Sequence, residues 1–425
     1  ELTDHALTLT GKSGETIPES DVQTHIDVLK TMGYDIVDNP FDKDPVFDTK
    51  KDTNDNITQE FTIKVQPRVS TAKTVYVVEG DKPSAEKLKD AVTTKGNKKT
   101  VDETKIPETI GKVGDDSLTA SVTVTYGSGD KKREEIVNVP IKVVKAVPQF
   151  VPVKETNDVL PNPEKSIDKT DYPEGSTFRY KTPDGQTTPI DVTTTGDKNV
   201  IVEVLDPQGN TIVEVPATVR VVGSTPQFVV ADPAKKQPEA KDSVTPGEYP
   251  DGTTFEYKTP VDTTTAGEKD VTVVAKLNGQ PIAEVPAKVV VVDPKTQYVV
   301  ADPSKPQPDA SKSIDPEQYP EGTTFEYKTP VDTTTPGEKD VVVVAKDGED
   351  KLVEVPTKVK VVQGYPQIVP VDEGKKQPSP EDSIDPNDYP DDATFEYKEE
   401  VDTSTPGDKK VTVVVKQGDK VLVEV

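Results

Sequence analysis

The chain has 425 residues, too many for one hydrophobic core, and only 32% of them are hydrophobic and 5% aromatic, with 40 prolines and no tryptophan. Lys and Arg total 51 against 77 Asp and Glu, a formal charge of −26 that opposes phosphate backbones and anionic membrane surfaces, so no nucleic-acid partner is expected. The absence of Cys excludes disulfides, thiolate catalysis and Cys-ligated zinc in this stretch, and no run reaches the roughly 18 apolar residues of a membrane-spanning helix.

The apolar residues gather in short alternating runs such as 271–275, which reads as folded β modules with Val- and Ile-rich cores rather than disorder. The start at Glu1 shows no basic-plus-apolar signal segment, so an export signal and an anchor are expected outside these residues.

Residues 1–69 differ in kind from the rest. Ser20 with Gln23 reads as a capping box, Val22, Ile26 and Leu29 make one helix face, and Gly33 is a helix stop. Phe61, Ile63 and Val65 then alternate as a strand, so a helix on a small sheet is expected. Gly11-Lys12-Ser13 imitates the end of a phosphate-binding loop, but that motif needs Gly where Ala6 stands, and a turn is the reading. The acid-rich loop of Asp42, Asp44, Asp48, Asp52 and Asp55 has the composition of a calcium site. Ile57 and Ile63 occupy the positions where a calcium loop requires Gly and Glu, so a solvated acidic loop is expected, with calcium as the alternative. His5 and His25 are the only histidines, and neither has a recognisable nucleophile partner, so no catalytic residue and no cofactor is assigned.

In residues 70–146, Thr74–Val78 reads as a first strand and the run ASVTVTYGSGDKKREEIVNVPIKVVKA closes as the later segments do, which makes this a divergent or long copy of them. The copies themselves are marked by Tyr-Pro at 172, 249, 319 and 389 and by Gln149, Gln227, Gln297 and Gln367, whose spacings settle at 70 residues. They divide into 147–223, with an insertion around Asp184–Pro189, then 224–293, 294–363 and 364–425. The last stops at Val425 where the others continue with Pro and a Val-rich strand, so the chain reads as a fragment.

Within the copy at 294–363, strands are expected at 324–327, 340–346 and 352–362. Asp347-Gly348, like Asn278-Gly279 one copy earlier, reads as a type I′ hairpin pair, and Tyr319-Pro320-Glu321-Gly322 as a turn with Pro second. Pro286 and Pro356 interrupt strand patterns, which implies an edge position, a bulge or a strand that switches sheets. Five to seven short strands per copy fit a small Ig-like sandwich. Short Pro-containing junctions are stiff, so a monomeric rod is expected, about 30 Å per module and on the order of 150 Å for five. The Asp-Thr-Thr-Thr runs at 262–265 and 332–335 read as loop caps, and the Phe255/Tyr257 and Phe325/Tyr327 pairs, on one strand face at spacing two, as core packing rather than glycan platforms.

The segment GTTFEYKTPVDTTTPGEKDVVVVAKDGEDKLVEVPTKVKVV, 322–362, closely resembles the Rib/alpha-like repeats of Gram-positive surface proteins, as does YPQIVPVDEGKKQPSPEDSIDP at 365–386. Residues 10–65 resemble the repeat units of mucin-binding (MucBP or MUB) surface proteins, through GKSG, the helix ending in Gly-Tyr, Val46-Phe47-Asp48 and Gln59-Glu60-Phe61-Thr62. Such units carry a further strand before this point. The resemblance implies a mainly β chain: tandem small Ig-like β-sandwich modules in an elongated array, behind an α+β, β-grasp-like module. It further implies a non-enzymatic, extracellular adhesin segment, anchored to the cell wall through another region, with a host mucin or mucosal glycan or glycoprotein as partner and no membrane insertion. The alternatives are the non-catalytic spacer of a large surface enzyme and a self-associating repeat array.

Overall fold

The computed structural model describes residues 6–49, 59–182, 189–374 and 376–425, so expectations resting on His5, Asp52, Asp55, Ile57 and residues 184–188 lie outside the described residues. The chain divides into two compact units, one of residues 1–149, 156–191 and 197–220, the other of residues 150–155, 192–196 and 221–425.

The first unit opens with helix α1 (Glu19–Thr31), whose Val22, Ile26 and Leu29 are all buried as the i, i+4, i+7 spacing predicts. The expected capping box is not made: Pro18 is the N-cap residue, so Ser20 already lies inside the first turn, and the Gln23 amide donates to the Asp27 carboxylate at 2.6 Å. Gly33 stops the helix at φ +81°, and an added Cβ there would lie 2.4 Å from the Tyr126 ring. Strand β1 (Tyr34–Asp38) follows at once and pairs antiparallel with β2 (Lys64–Pro67), Ile36 opposite Val65. The ladder thus begins three residues after the expected start at Phe61, although Phe61 and Ile63 still pack against Val22 and Ile26.

Next come β3 (Thr71–Ala72), β4 (Val75–Val78), a short helix α2 (Ala85–Asp90), β5 (Val92–Thr93), β6 (Lys98–Val101), β7 (Thr119–Ser128) and β8 (Lys131–Val144). The main sheet has the order β4-β8-β7-β6, with β4 parallel to β8. Helix α2, absent from the sequence reading, is capped by the Ser84 hydroxyl, which accepts from the Lys87 N–H, and it seats the fully buried Leu88 in the core. Strands β9 (Gln149–Pro152), β10 (Thr177–Tyr180), β11 (Gly196–Leu205) and β12 (Thr211–Val222) follow, β10 antiparallel to β11.

In the second unit β13 (Gln227–Val230), β14 (Thr254–Tyr257), β15 (Gly267–Leu277) and β16 (Gln280–Val292) form a sheet of order β13-β16-β15-β14. Strands β17 (Gln297–Val300), β18 (Thr324–Tyr327), β19 (Gly337–Asp347) and β20 (Asp350–Val362) repeat it. In both, the first strand runs parallel to the last and the rest is antiparallel, the arrangement already seen for β4 to β8. The last sheet is β21 (Ala393–Tyr397), β22 (Val413–Gln417) and β23 (Lys420–Glu424). The chain is therefore mainly β, a tandem of Ig-like modules. Each sheet has fewer strands than expected, because the facing layer is built from 3-10 turns such as Ala240–Ser243 and Pro246–Glu248 and from single bridges such as Ser224 to Val244.

Asn278 and Gly279, both at positive φ, make the expected hairpin turn, but the next copy turns at Gly348-Glu349, because Asp347 pairs with Asp350. The expected turn at Tyr319 begins one residue later: the Thr323 N–H donates to the Pro320 carbonyl, which puts Gly322 third, at φ +89°. Pro286 faces Thr272 on β15, while β13 covers only Val289–Val292, so the proline occupies a stretch laddered on one side alone.

Candidate functional site

The N-terminal module leaves an opening. Helix α1, β2 and the segment before the helix enclose a cleft of about 650 Å³, lined by Leu7, Leu29, Phe41 and Phe61 with His25 and Tyr34 as polar positions. The Phe41 and Phe61 rings lie 5.1 Å apart and tilted by 51°. A two-stranded sheet under one helix face covers only part of it, and Leu7 remains 46% exposed. A second cleft, of about 730 Å³ beside Lys181, Pro189 and Pro216, carries no assignment.

Among the described residues of the acidic loop, Asp42, Asp44 and Asp48 form no metal-holding group. Asp42 accepts from the Asn39 amide at 2.6 Å, Asp44 closes a 3-10 turn at φ +49°, and the Asp48 carbonyl accepts from the Ser13 hydroxyl at 2.6 Å. No group of three or more His, Cys, Asp or Glu that could hold a metal gathers among the described residues. Gly11, Lys12 and Ser13 shape a turn whose Gly11 lies under the Phe47 ring, where a Cβ would stand 1.9 Å from a ring carbon.

The repeated modules pair their recurring polar groups with one another. The Gln227 side-chain oxygen accepts from the Tyr257 hydroxyl at 2.7 Å and from the Ser243 hydroxyl at 3.1 Å, and Gln297 does the same with Tyr327 and Ser313 at 2.7 and 3.2 Å. Burial pushes both tyrosine hydroxyls above their ordinary pKa, with the serine bond opposing. The Gln307 amide grips the backbone of Val331 at both ends, donating to its carbonyl at 3.0 Å and accepting its N–H at 2.8 Å, as Gln237 does for Val261. Asp332 accepts from the Thr334 N–H and from the Thr334 and Thr335 hydroxyls, bonds that hold its carboxyl far below the usual range. These are loop caps, as the sequence implied. Phe255 and Tyr257 likewise pack on the buried cluster around Val273 and Val285.

Beside β7 and β8 a further network has no counterpart in the sequence reading. The Ser70 hydroxyl donates to Glu135 at 2.7 Å and lies 2.9 Å from the Tyr126 hydroxyl, which itself donates to Glu135 at 3.0 Å. Burial raises the Glu135 pKa, but the bonds from Ser70 and Tyr126 outweigh it and the carboxyl ends below its ordinary value. Next to it, the Arg133 guanidinium stacks over Tyr126 at 4.2 Å and donates to the carbonyls of Met32, Gly33 and Arg68, which ties the end of α1 to β8.

With these arrangements in view, the family comparisons are specific. The Rib domain matches three times, at residues 226–293, 292–363 and 362–425, and the mucin binding domain matches residues 2–66. A solved Rib structure from Streptococcus pyogenes is 30% identical over 18% of this chain and 89% of its own, with a TM-score of 0.15. Residues 226–425 are three Rib domains. The Rib modules and the mucin binding domain are non-catalytic types found in Gram-positive surface proteins. Domains 4–9 of the surface layer protein SbsC are 12% identical, covering 85% of this chain and 57% of that one at a TM-score of 0.16, and carry no argument. A comparison with curated proteins returns no match. No helix among the described residues is long and apolar enough to cross a membrane.

The Gln-Ser-Tyr cluster and the Gln307 grip were missed in the sequence, although a signal existed: Gln227, Ser243 and Tyr257 recur at the same offsets in the next Rib module. The cleft had no signal of its own beyond the helix face.

Proposed function

We propose that this chain is a non-enzymatic segment of a bacterial cell-surface adhesin, acting as a monomer, in which residues 1–69 meet a host mucin or mucosal glycan. The modules at 70–146, 147–223, 224–293, 294–363 and 364–425 hold that region away from the cell wall, to which a further region attaches. The observation that carries this reading is the cleft of the N-terminal module, within the residues matched by the mucin binding domain. The N-terminal module presents a cleft with an apolar floor and the polar groups of His25 and Tyr34, the make-up of a ligand site. The repeated Gln, Ser, Tyr and Asp-Thr clusters of the Rib modules are engaged with one another. The acidic balance, 77 acids against 51 bases, keeps such an array soluble and self-repelling.

The test is binding of the full chain, and of the chain lacking residues 1–69, to immobilised mucin. Saturable binding that disappears on the removal supports the reading. Equal binding by both would move the adhesive surface into the later modules, and no binding by either would favour a structural spacer.

A further inference from the structure

Four ring pairs recur down the chain: Tyr76 on Tyr172, Phe150 on Tyr249, Phe228 on Tyr319 and Tyr298 on Tyr389, with centroids 5.8, 5.7, 5.7 and 5.6 Å apart and planes within 22°. In each pair the first ring is the second residue of its strand β4, β9, β13 or β17, and the second is the Tyr of the Tyr-Pro in the following copy. The receiving rings are buried and meet another ring edge-on, as Tyr319 meets Phe325 at 5.2 Å. One module's first strand therefore completes its successor's core: Phe228, Val230 and Val290 pack against Val292, Ile314 and Tyr319.

Beside the stacks on Tyr172, Tyr319 and Tyr389 two positions vary together. One is the residue before the closing Val-Val of a module's last strand (Lys142, Val290, Lys360), and the other is the residue before the receiving tyrosine (Asp171, Gln318, Asp388). Where the second is Asp, the first is Lys and the two pair: Lys142 to Asp171 at 3.4 Å and Lys360 to Asp388 at 3.0 Å, each side chain no more than 23% exposed. Lys142 also reaches Asp116 at 2.8 Å. Where the second is Gln, one methylene longer, it turns to the connecting backbone instead: Gln318 accepts the Asp293 N–H at 3.0 Å. The first position is then Val290, packed against the core.

We infer that these two positions make the module face a specific docking surface of two kinds, one ionic (Lys with Asp) and one neutral (Val with Gln), that decides which module can follow which. The partner of each face is the next module of the same chain. A mismatched neighbour would leave a mostly covered carboxylate facing Val, or a covered ammonium facing an amide, and an unpaired charge in such a place is costly. Asp is too short for the cap that Gln318 makes, so the kinds do not interconvert by one substitution.

The experiment is a double-mutant cycle in the full chain with Lys360→Val, Asp388→Gln and the two together, read by hydrogen exchange of the β22 amides. Each single change is expected to raise opening of that module about tenfold, and the double to return near the parent, because it converts the junction to the neutral kind. The reciprocal pair, Val290→Lys with Gln318→Asp, should behave likewise at the preceding junction, read on β19. Additive losses in the doubles, or single changes without effect, would overturn the inference.

Discussion

In the Rib module of β17–β20, a four-stranded sheet, a layer of 3-10 turns and a ring from the preceding strand β13 close the core on every side, and Val343, Val355 and Val361 are fully buried. In the N-terminal module a single 13-residue helix lies on two short strands, and the same need for burial is left partly unmet in a cleft. The difference teaches where each module's stability resides. The Rib modules draw it from long ladders and from their neighbours, whereas the N-terminal module draws it from one helix face and keeps apolar surface for another use.

The largest expected effect that separates the two is Phe325→Ala. It removes the ring that supports Tyr319 and should cost the β17–β20 module about 3 kcal/mol in denaturant unfolding, with mucin binding unchanged. Next, Gln307→Ala deletes both bonds to Val331 and leaves a part-buried N–H and carbonyl unpaired, a loss of about 2 kcal/mol in the same assay.

Alkaline pH should act on the stacked modules through their receiving tyrosines. Burial raises the Tyr319 hydroxyl from 10.0 to about 12 in the folded chain. A raised folded value leaves stability intact below pH 10 and lowers it as pH climbs from 10 through 12, because the unfolded chain ionises first. Circular dichroism melts across that window should fall, and Tyr319→Phe, whose parent hydroxyl has no protein hydrogen-bond partner, should reduce the fall. The smallest stability effect is expected from Leu7→Asp at the cleft: less than about 0.5 kcal/mol, with mucin affinity down roughly tenfold in the binding assay.

Local pattern was legible and distant pairing was not. Alternation placed β18 at its observed residues and foresaw the buried face of α1, because both depend on neighbours along the chain. The hairpin at Gly348-Glu349 was misplaced by one residue, since Asp347-Gly348 satisfies the same turn chemistry and only the Asp347–Asp350 pairing decides between them. Helix α2 escaped because six residues are too few to show a period, and its cap and Leu88 matter only once β6 and β7 are beside it. At the candidate site, His25 and Leu29 were visible on the helix, but the cleft they line depends on Phe41 and Phe61 arriving from elsewhere. The receiving tyrosines were read as repeat markers and Tyr76 as a strand residue; each ring's partner lies more than a module's length away in sequence.

The parallel pairing of β13 with β16 also sets how a Rib module carries load. The chain comes in at Gln227, beside Val289, and leaves at Val292, beside Val230, so tension along it drags the two strands in opposite directions past each other. All the rungs between them resist together, in shear, whereas a hairpin pulled at its open end peels one rung at a time. Forced unfolding is governed by the barrier to that first rupture. A tether made of such modules holds its length under a pull that would unzip an ordinary hairpin of the same stability.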